Sequence, residues 1–191
     1  MSRLPLIQND QAPPEVKEVF DRIEKNGARI LNLYRMAAHS PAVLLNFIRL
    51  GNSLLARTKL TPKLRELAIL RVASLTGSEY ERAQHHAIAL QAGVSEKQAR
   101  AIPRWKESAE FDDLERAVLQ YTDEVSQNVA VKDETFKALR RYLDEQETVE
   151  LTISIGHWGM VARLLVPLQV DIDAMPEGQT QDLIGRRPKQ P

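Results

Sequence analysis

Residues 66–85, E-L-A-I-L-R-V-A-S-L-T-G-S-E-Y-E-R-A-Q-H, contain one predicted helix, a turn at Gly77 and the start of a second helix. The first helix is apolar around nearly its whole circumference, which is typical of a helix buried on all sides. Gly77 is a helix stop signal, and Ser78 is a helix N-cap signal. We therefore expect a helix–turn–helix unit at the centre of the protein.

Two charged residues, Glu66 and Arg71, interrupt this apolar helix. Their directions differ by about 140°, so they do not satisfy each other. A buried charge without a partner is costly. Glu66 therefore either lies at an exposed helix end or pairs with a cation from another element, or it lines a pocket where a buried carboxyl group is suited to proton transfer.

Glu81 and His85 are four residues apart on the second helix, so their side chains lie on one face. A carboxylate beside an imidazole orients the ring and favours its protonated form, which suits acid–base catalysis. Glu81 is also the third helical residue of a possible capping box that begins at Ser78. Both interpretations of Glu81, orienting His85 and capping the helix, remain open at this point.

The composition excludes several classes of function. The 191 residues include no cysteine, which rules out disulfides, thiolate metal sites and thiol nucleophiles within the chain. Lys+Arg and Asp+Glu are both 26, and this balance favours neither a nucleic-acid nor a membrane partner. The first ten residues lack a signal-peptide pattern, and no apolar run approaches the ~18 residues of a membrane span. We expect a cytoplasmic protein whose partner is a small-molecule substrate.

The rest of the chain predicts an all-α fold of about seven helices. No stretch alternates with the period of a β-strand. A helix is expected over residues 14–25, the last long helix over residues 147–165, and a polar tail beyond Asp173. Further helix starts are predicted at Ser40-Pro41, Thr61-Pro62, Ser78, Ser95 and Asp112.

The last long helix contributes a second group of candidate site residues. His157 and Trp158 lie between Gly156 and Gly159, which indicates close helix packing or a gap beside a ligand. Arg163 is suited to binding a carboxylate or to a subunit salt bridge. A metal site built from Glu66, Glu81 and His85, with His86 or His157 nearby, is an alternative. Because no H-E-x-x-H motif is present, we expect no metal, and because no nucleotide-binding fingerprint is present, we expect no nucleotide cofactor.

Four stretches resemble one family. They are R-E-L-A-I-L-R-V-A (65–73), T-G-S-E-Y-E-R-A-Q-H-H-A-I-A-L-Q-A-G-V-S (76–95), L-N-L-Y-R-M-A-A-H-S-P-A (31–42) and G-H-W-G-M-V-A-R-L-L (156–165). Over about residues 30–170 the chain resembles the carboxymuconolactone decarboxylase family, which includes the alkylhydroperoxidase D-like proteins. The resemblance implies an all-α, homo-oligomeric protein, a dimer, trimer or hexamer. It also implies an N-terminal helical extension (1–29), a family domain (30–173) and a polar tail (174–191).

The peroxidase branch of this family uses a Glu, a Cys-x-x-Cys pair and a His. Carried over by position, the Glu and the His correspond to Glu66 and His85, and the two cysteines to Ser78 and Glu81. A serine and a glutamate cannot supply the thiolate that attacks a peroxide. The chain is therefore expected to be a cysteine-less, peroxiredoxin-like family member that is not a dithiol peroxidase.

The decarboxylase branch implies a cofactor-free lyase or isomerase of aromatic catabolism, acting on a small lactone or carboxylate. In this assignment His85 is the acid, Glu81 orients it, and Glu66 takes part in the proton relay. Two alternatives stay open: a ligand-binding or non-catalytic helical oligomer, and a metal-dependent enzyme using Glu66, Glu81 and His85. The residues assigned to substrate binding are Arg71, Tyr80, Ser78, His157, Trp158 and Arg163, with Arg71 or Arg163 as the anion holder.

Overall fold

The computed structural model describes residues 1–174, and all regular structure among them is helical. The all-α prediction is confirmed. The described residues hold nine α-helices instead of about seven, because three of them have only six or seven residues. None of them has the length and apolar character that crossing a bilayer requires. The helices are α1 (Pro14–Lys25), α2 (Asn32–Ala37), α3 (Pro41–Ala56), α4 (Pro62–Thr76), α5 (Glu79–Gln91), α6 (Glu96–Ala101), α7 (Asp113–Asn128), α8 (Asp133–Leu139) and α9 (Glu145–Leu165), with 3-10 segments at Asn9–Gln11 and Ile102–Glu107.

The chain forms two compact units. One contains Met1–Arg57 together with the segment that begins at Pro167, and the other contains Thr58–Val166. The domain bounds at residues 29 and 173 were expected from the family resemblance and stay a prediction. Apart from residue 174, the predicted polar tail lies outside the described residues.

The first unit is built on α3, against which α1 and α2 both pack. Val16 and Phe20 on α1 and Leu44 on α3 are almost fully buried. The segment after Pro167 is held to this unit by hydrogen bonds. For example, the Asn32 backbone N–H donates to Asp173 Oδ1 over 2.9 Å.

The second unit is built around α4, which packs against α5, α7 and α9. Every residue from 64 to 73 is buried. All of these side chains are apolar except Arg65, Glu66 and Arg71. The predicted all-round burial of this helix is therefore confirmed. Its three charged residues each need a partner inside the protein.

The turn between α4 and α5 depends on one left-handed residue. Gly77 has φ +65°, and its N–H and that of Ser78 both reach the Ala73 carbonyl oxygen, the latter over 3.0 Å. The Ser78 hydroxyl accepts a hydrogen bond from the Glu81 backbone N–H over 3.5 Å. Only this half of the predicted capping box forms, because the Ser78 N–H already serves the C-terminus of α4.

The other predicted helix starts have mixed outcomes. Ser95 caps α6 through a complete capping box, as expected. The hydroxyls of Ser40 and Thr61 make no cap hydrogen bond, so the following proline marks these starts. The last helix begins two residues before the predicted Glu147, because Asp144 caps it.

We predict that Gly77→Ala lowers the free energy of unfolding by about 1 kcal/mol, since only glycine adopts a left-handed backbone without strain. Gly156, which is exposed in the middle of α9, is the matched control. No atom lies within 4 Å of a Cβ built at either residue, so the two changes differ in backbone conformation alone. Gly156→Ala is expected to be neutral or to stabilise by up to about 1 kcal/mol. Urea denaturation of both variants measures the difference, and equal losses would contradict the prediction.

Candidate active site

Glu66 is fully buried and hydrogen-bonded on both of its oxygens. Its Oε2 lies 2.8 Å from His85 Nδ1 on α5, and its Oε1 accepts from Arg65 Nε over 3.3 Å. The side chain is 0% exposed, which excludes the interpretation that Glu66 lies at an exposed helix end. A buried carboxylate with a cationic neighbour and a ring N–H donor is a stable arrangement.

Trp158 on α9 completes the environment of His85. Its indole Nε1–H donates to His85 Nε2 over 2.8 Å, and the two rings meet edge to face at 5.4 Å. An indole N–H is a donor only, so Nε2 carries no proton in this arrangement. The remaining proton is therefore on Nδ1, where it donates to Glu66. These two hydrogen bonds define a neutral imidazole with one tautomer.

His157 lies on the other side of Trp158, with ring centroids 4.9 Å apart. Burial, with a smaller contribution from His85 in its protonated form, lowers the pKa of His157 to about 4. The ring is therefore neutral at physiological pH. Its contribution to the site is a polar but uncharged surface beside Trp158.

Glu81, unlike Glu66, has a buried carboxyl group without a hydrogen-bond partner. Its side chain is 2% exposed, and neither carboxyl oxygen has a hydrogen-bond partner. Burial raises the pKa of Glu81 to about 7, against the opposing effects of a protonated His85 and of the Ser78 hydroxyl. That hydroxyl lies close to the carboxyl group without the geometry of a hydrogen bond. A carboxyl group whose pKa lies near neutral pH is suited to general acid–base catalysis.

The role expected for Glu81 is therefore corrected. Glu66 instead of Glu81 bonds and orients His85, because the turn at Gly77 brings α4 directly against α5. Glu81 does not cap its helix either, since the Ser78 N–H is bonded to Ala73. Neither interpretation drawn from the spacing accounts for this residue.

Arg71 does not face the cluster around His85. Its Nε donates to Asp123 Oδ1 over 2.5 Å, and its Nη1 donates to the carbonyl oxygens of Ile102 and Pro103, each over 3.2 Å. Trp105 Nε1–H donates to the second Asp123 oxygen. The expectation that Arg71 holds a substrate anion is corrected: it clamps α4 to α7 and to the 3-10 segment.

Arg163 is exposed on the last turn of α9, about 140° around the helix from Trp158. Its Nη1 donates to the Gly159 carbonyl oxygen over 2.8 Å, and a Cβ on Gly159 would lie 3.1 Å from the guanidinium. Gly159 thus makes room for Arg163 rather than for a ligand. Ser78 and Tyr80 are buried near the turn, and their part in substrate binding stays a prediction.

The donor geometry gives no support to the metal alternative. Among residues 1–174, no three histidine or carboxylate side chains gather as a metal-binding set. Both ring nitrogens of His85 are already hydrogen-bonded. A metal ion on this ring would have to replace the hydrogen bond from Trp158 or that to Glu66.

Arg65 is the site residue that the sequence interpretation missed. It is 2% exposed and lies beside Glu66. Neighbouring residues of a helix do not normally face each other, so spacing gives no reason to pair them. The available signal was a further charge in a helix that is otherwise apolar all round.

Comparison with known proteins gives one family match, to part of the chain. Residues 41–124 match the model of the carboxymuconolactone decarboxylase family. The range includes Glu66, Glu81 and His85 and ends before Trp158. The match confirms the family prediction for this part of the chain. No curated protein matches the chain.

Solved structures show the same fold at low sequence identity. An uncharacterized peroxidase-related protein from Ralstonia eutropha JMP134, described as an alkylhydroperoxidase AhpD core, has TM-score 0.78 and 18% identity, with 90% of this chain and 92% of that chain covered. An uncharacterized peroxidase-related protein from Silicibacter sp. TM1040 also has TM-score 0.78 and 18% identity, with 93% and 95% covered. The debrominase Bmp8, in a variant complexed with 2,3,4-tribromopyrrole, has TM-score 0.74 and 22% identity, with 91% and 95% covered. These similarities establish an AhpD-like helical fold.

We predict that Glu66→Gln lowers the free energy of unfolding by about 3 kcal/mol, because it removes the charge that faces the buried Arg65. Glu79→Gln is the matched control, since Glu79 lies on the solvent side of α5 and pairs with Arg82. Its expected effect is below about 1 kcal/mol. Urea denaturation at pH 7 measures both, and a similar small effect for the two variants would argue against a structural role for the Glu66 charge.

Glu81 also makes a testable contribution to the pH dependence of stability. The folded protein holds the proton on Glu81 up to about pH 7, whereas an unfolded glutamate loses it near 4.5. The stabilising contribution of this group is therefore complete below pH 4.5 and is lost as the pH rises to about 7. We predict that the unfolding free energy of wild type minus that of Glu81→Gln falls by about 3 kcal/mol over this interval.

The difference between the two proteins isolates Glu81. His157 acts in an overlapping interval with the opposite sign, because its pKa is lowered on folding, but it is present in both proteins. Urea titrations at pH 4.5, 5.5, 6.5 and 7.5 give the measurement. Glu79→Gln is again the control, since the pKa of Glu79 is lowered and its contribution changes only at more acidic pH. A constant difference across the interval would show that Glu81 ionises normally.

Proposed function

We propose that this protein is an acid–base enzyme of the carboxymuconolactone decarboxylase family, a lyase or isomerase acting on a small lactone or carboxylate. Glu81 is its proton-transfer residue. The observation that carries the proposal is the buried Glu81 carboxyl group, which has no hydrogen-bond partner and a pKa of about 7. Leaving such a group buried is costly, which is typical of a catalytic site.

The chemistry assigned to Glu81 is a single proton transfer. In a decarboxylation, the carbon–carbon bond to the departing carbon dioxide breaks and its electron pair moves into the lactone carbonyl. The protonated carboxyl group of Glu81 then delivers its proton to the carbon, and the resulting carboxylate recovers a proton from solvent. In an isomerisation, the Glu81 carboxylate first removes a proton from carbon and returns it to another position. Neither route needs a thiol, a metal or an organic cofactor.

His85 has a different part in this proposal from the one expected from the sequence. Both its ring nitrogens are occupied, by Glu66 and by Trp158, so it is not placed to protonate a substrate directly. Its role is to provide a fixed polar group in the site, one helical turn from Glu81. Trp158 and His157 supply adjoining ring surface, consistent with their proposed place in substrate binding.

A second candidate function is ligand binding without catalysis. The observation in its favour is that both Glu81 oxygens are shielded from solvent, so a substrate must displace the side chains that cover them. A homo-oligomer is compatible with either function and, like a cytoplasmic location, stays a prediction.

We predict that Glu81→Gln lowers turnover by about 10²–10⁴-fold, the usual contribution of a positioned general acid or base. The assay offers small lactones with and without a carboxylate in D2O, and follows carbon dioxide release and carbon-bound deuterium by NMR. The rate is expected to fall above about pH 7 if Glu81 acts as the acid, and to rise through pH 7 if it acts as the base. Glu79→Gln, two residues away on the solvent face of α5, should keep full activity.

The outcomes separate the candidate functions. Turnover that survives Glu81→Gln would remove Glu81 from the mechanism. Binding of a lactone, detected by calorimetry without deuterium exchange or carbon dioxide release, would favour the ligand-binding function. A bromopyrrole belongs in the panel because a debrominase shares the fold. Its conversion in place of the lactones would contradict the proposed reaction class.

A further inference from the structure

We infer that Trp158 is a positioning residue that keeps the mobile proton of this cluster on Glu81 by denying it to His85. The inference deepens the proposed function and rests on it for its catalytic meaning. The proton positions on His85 and Glu81, however, can be measured in the protein without substrate. It is carried by the hydrogen bonds on the two sides of the His85 ring.

The two partners of His85 act on its protonation in opposite directions. The Glu66 carboxylate, 2.8 Å from Nδ1, stabilises a positively charged imidazolium. The Trp158 N–H, 2.8 Å from Nε2, requires a lone pair on that nitrogen. A second proton on His85 would place two N–H groups against each other at this distance, so the hydrogen bond from Trp158 stabilises the neutral ring.

The charge on the His85 ring affects the protonation of Glu81 through space. The two residues are one helical turn apart on α5, and both side chains are buried. An imidazolium at this separation would favour the charged carboxylate of Glu81. By keeping His85 neutral, Trp158 removes this opposing influence, so nothing from His85 reduces the effect of burial on Glu81.

Other charged groups on α4, α5, α7 and α9 have partners of their own and do not set the protonation of Glu81. Arg65 and Glu66 on α4 pair with each other, and His157 on α9 is neutral at physiological pH. The exposed charges of α5 pair on the solvent side, Glu79 with Arg82 and His86 with Glu96. The buried carboxylates of α7 are engaged elsewhere: Glu115 with Lys63, Asp123 with Arg71, and Glu124 with Thr135.

Trp158→Phe tests the inference because it removes the N–H donor and keeps an aromatic ring, although part of the buried indole is lost as well. Long-range 15N–1H spectra of labelled protein report which ring nitrogen of His85 carries a proton. In wild type we expect the proton on Nδ1 alone. A 13C titration of the glutamate carboxyl carbons, with Glu81 assigned by its absence in Glu81→Gln, reports the second quantity. In Trp158→Phe we expect His85 to take a proton on Nε2 and the Glu81 midpoint to fall by about one pH unit.

Trp105→Phe is the matched control. It removes an indole N–H from another buried acceptor of the same unit, Asp123 Oδ2 at 3.2 Å. Both the His85 tautomer and the Glu81 midpoint should remain as in wild type. Equal changes in the two variants would mean that loss of packing, not loss of the donor to His85, moves the protons.

The wild-type spectrum alone can overturn the inference, whether or not Trp158→Phe folds. A proton on His85 Nε2 in wild type near neutral pH would show that Trp158 does not control the ring. An unchanged Glu81 midpoint in folded Trp158→Phe would show that His85 and Glu81 are not linked. Because these spectra need no substrate, their failure is distinct from a failure to find turnover, which would concern the proposed function alone.

Discussion

The hydrogen bond between Glu66 and His85 is the interaction on which the rest of this site depends. It joins α4 to α5 across 2.8 Å inside the core, and its carboxylate is fully buried. Arg65 makes that burial tolerable by placing a cation on the other carboxylate oxygen. With Glu66 on Nδ1, His85 presents only Nε2 to α9, where Trp158 binds it. One buried carboxylate thus fixes the ring orientation, the tautomer and the approach of a third helix.

Glu81 has its properties because these partners are engaged with one another. The turn at Gly77 uses the Ser78 N–H to end α4, so this N–H is not available to the Glu81 carboxyl group at the start of α5. His85 is turned toward Glu66 and Trp158, so it offers no hydrogen bond either. A carboxyl group left buried in this way retains its proton to about pH 7. The same packing that stabilises the core therefore creates the candidate acid–base group.

Sequence interpretation succeeded where a signal is local. The buried character of α4, the stop at Gly77 and the capping box at Ser95 all depend on residues within a few positions of one another. It failed where a partner is remote in the chain. Arg71 was expected to hold a substrate anion, but Asp123, 52 residues later, occupies it. Trp158 is 73 residues from the His85 nitrogen that it binds, and no periodicity connects them.

The sequence by itself determined that this protein is all-α, lacks thiol chemistry and matches the model of the carboxymuconolactone decarboxylase family over residues 41–124. Those properties follow from helix periodicity, composition and local motifs. Only the tertiary structure decided which of the polar residues pair. Hydrogen-bond partners are set by the packing of α4, α5 and α9, and burial by the whole unit. For that reason Glu66 became the partner of His85 and Glu81 the buried carboxyl group without one, although spacing alone favoured the opposite pairing.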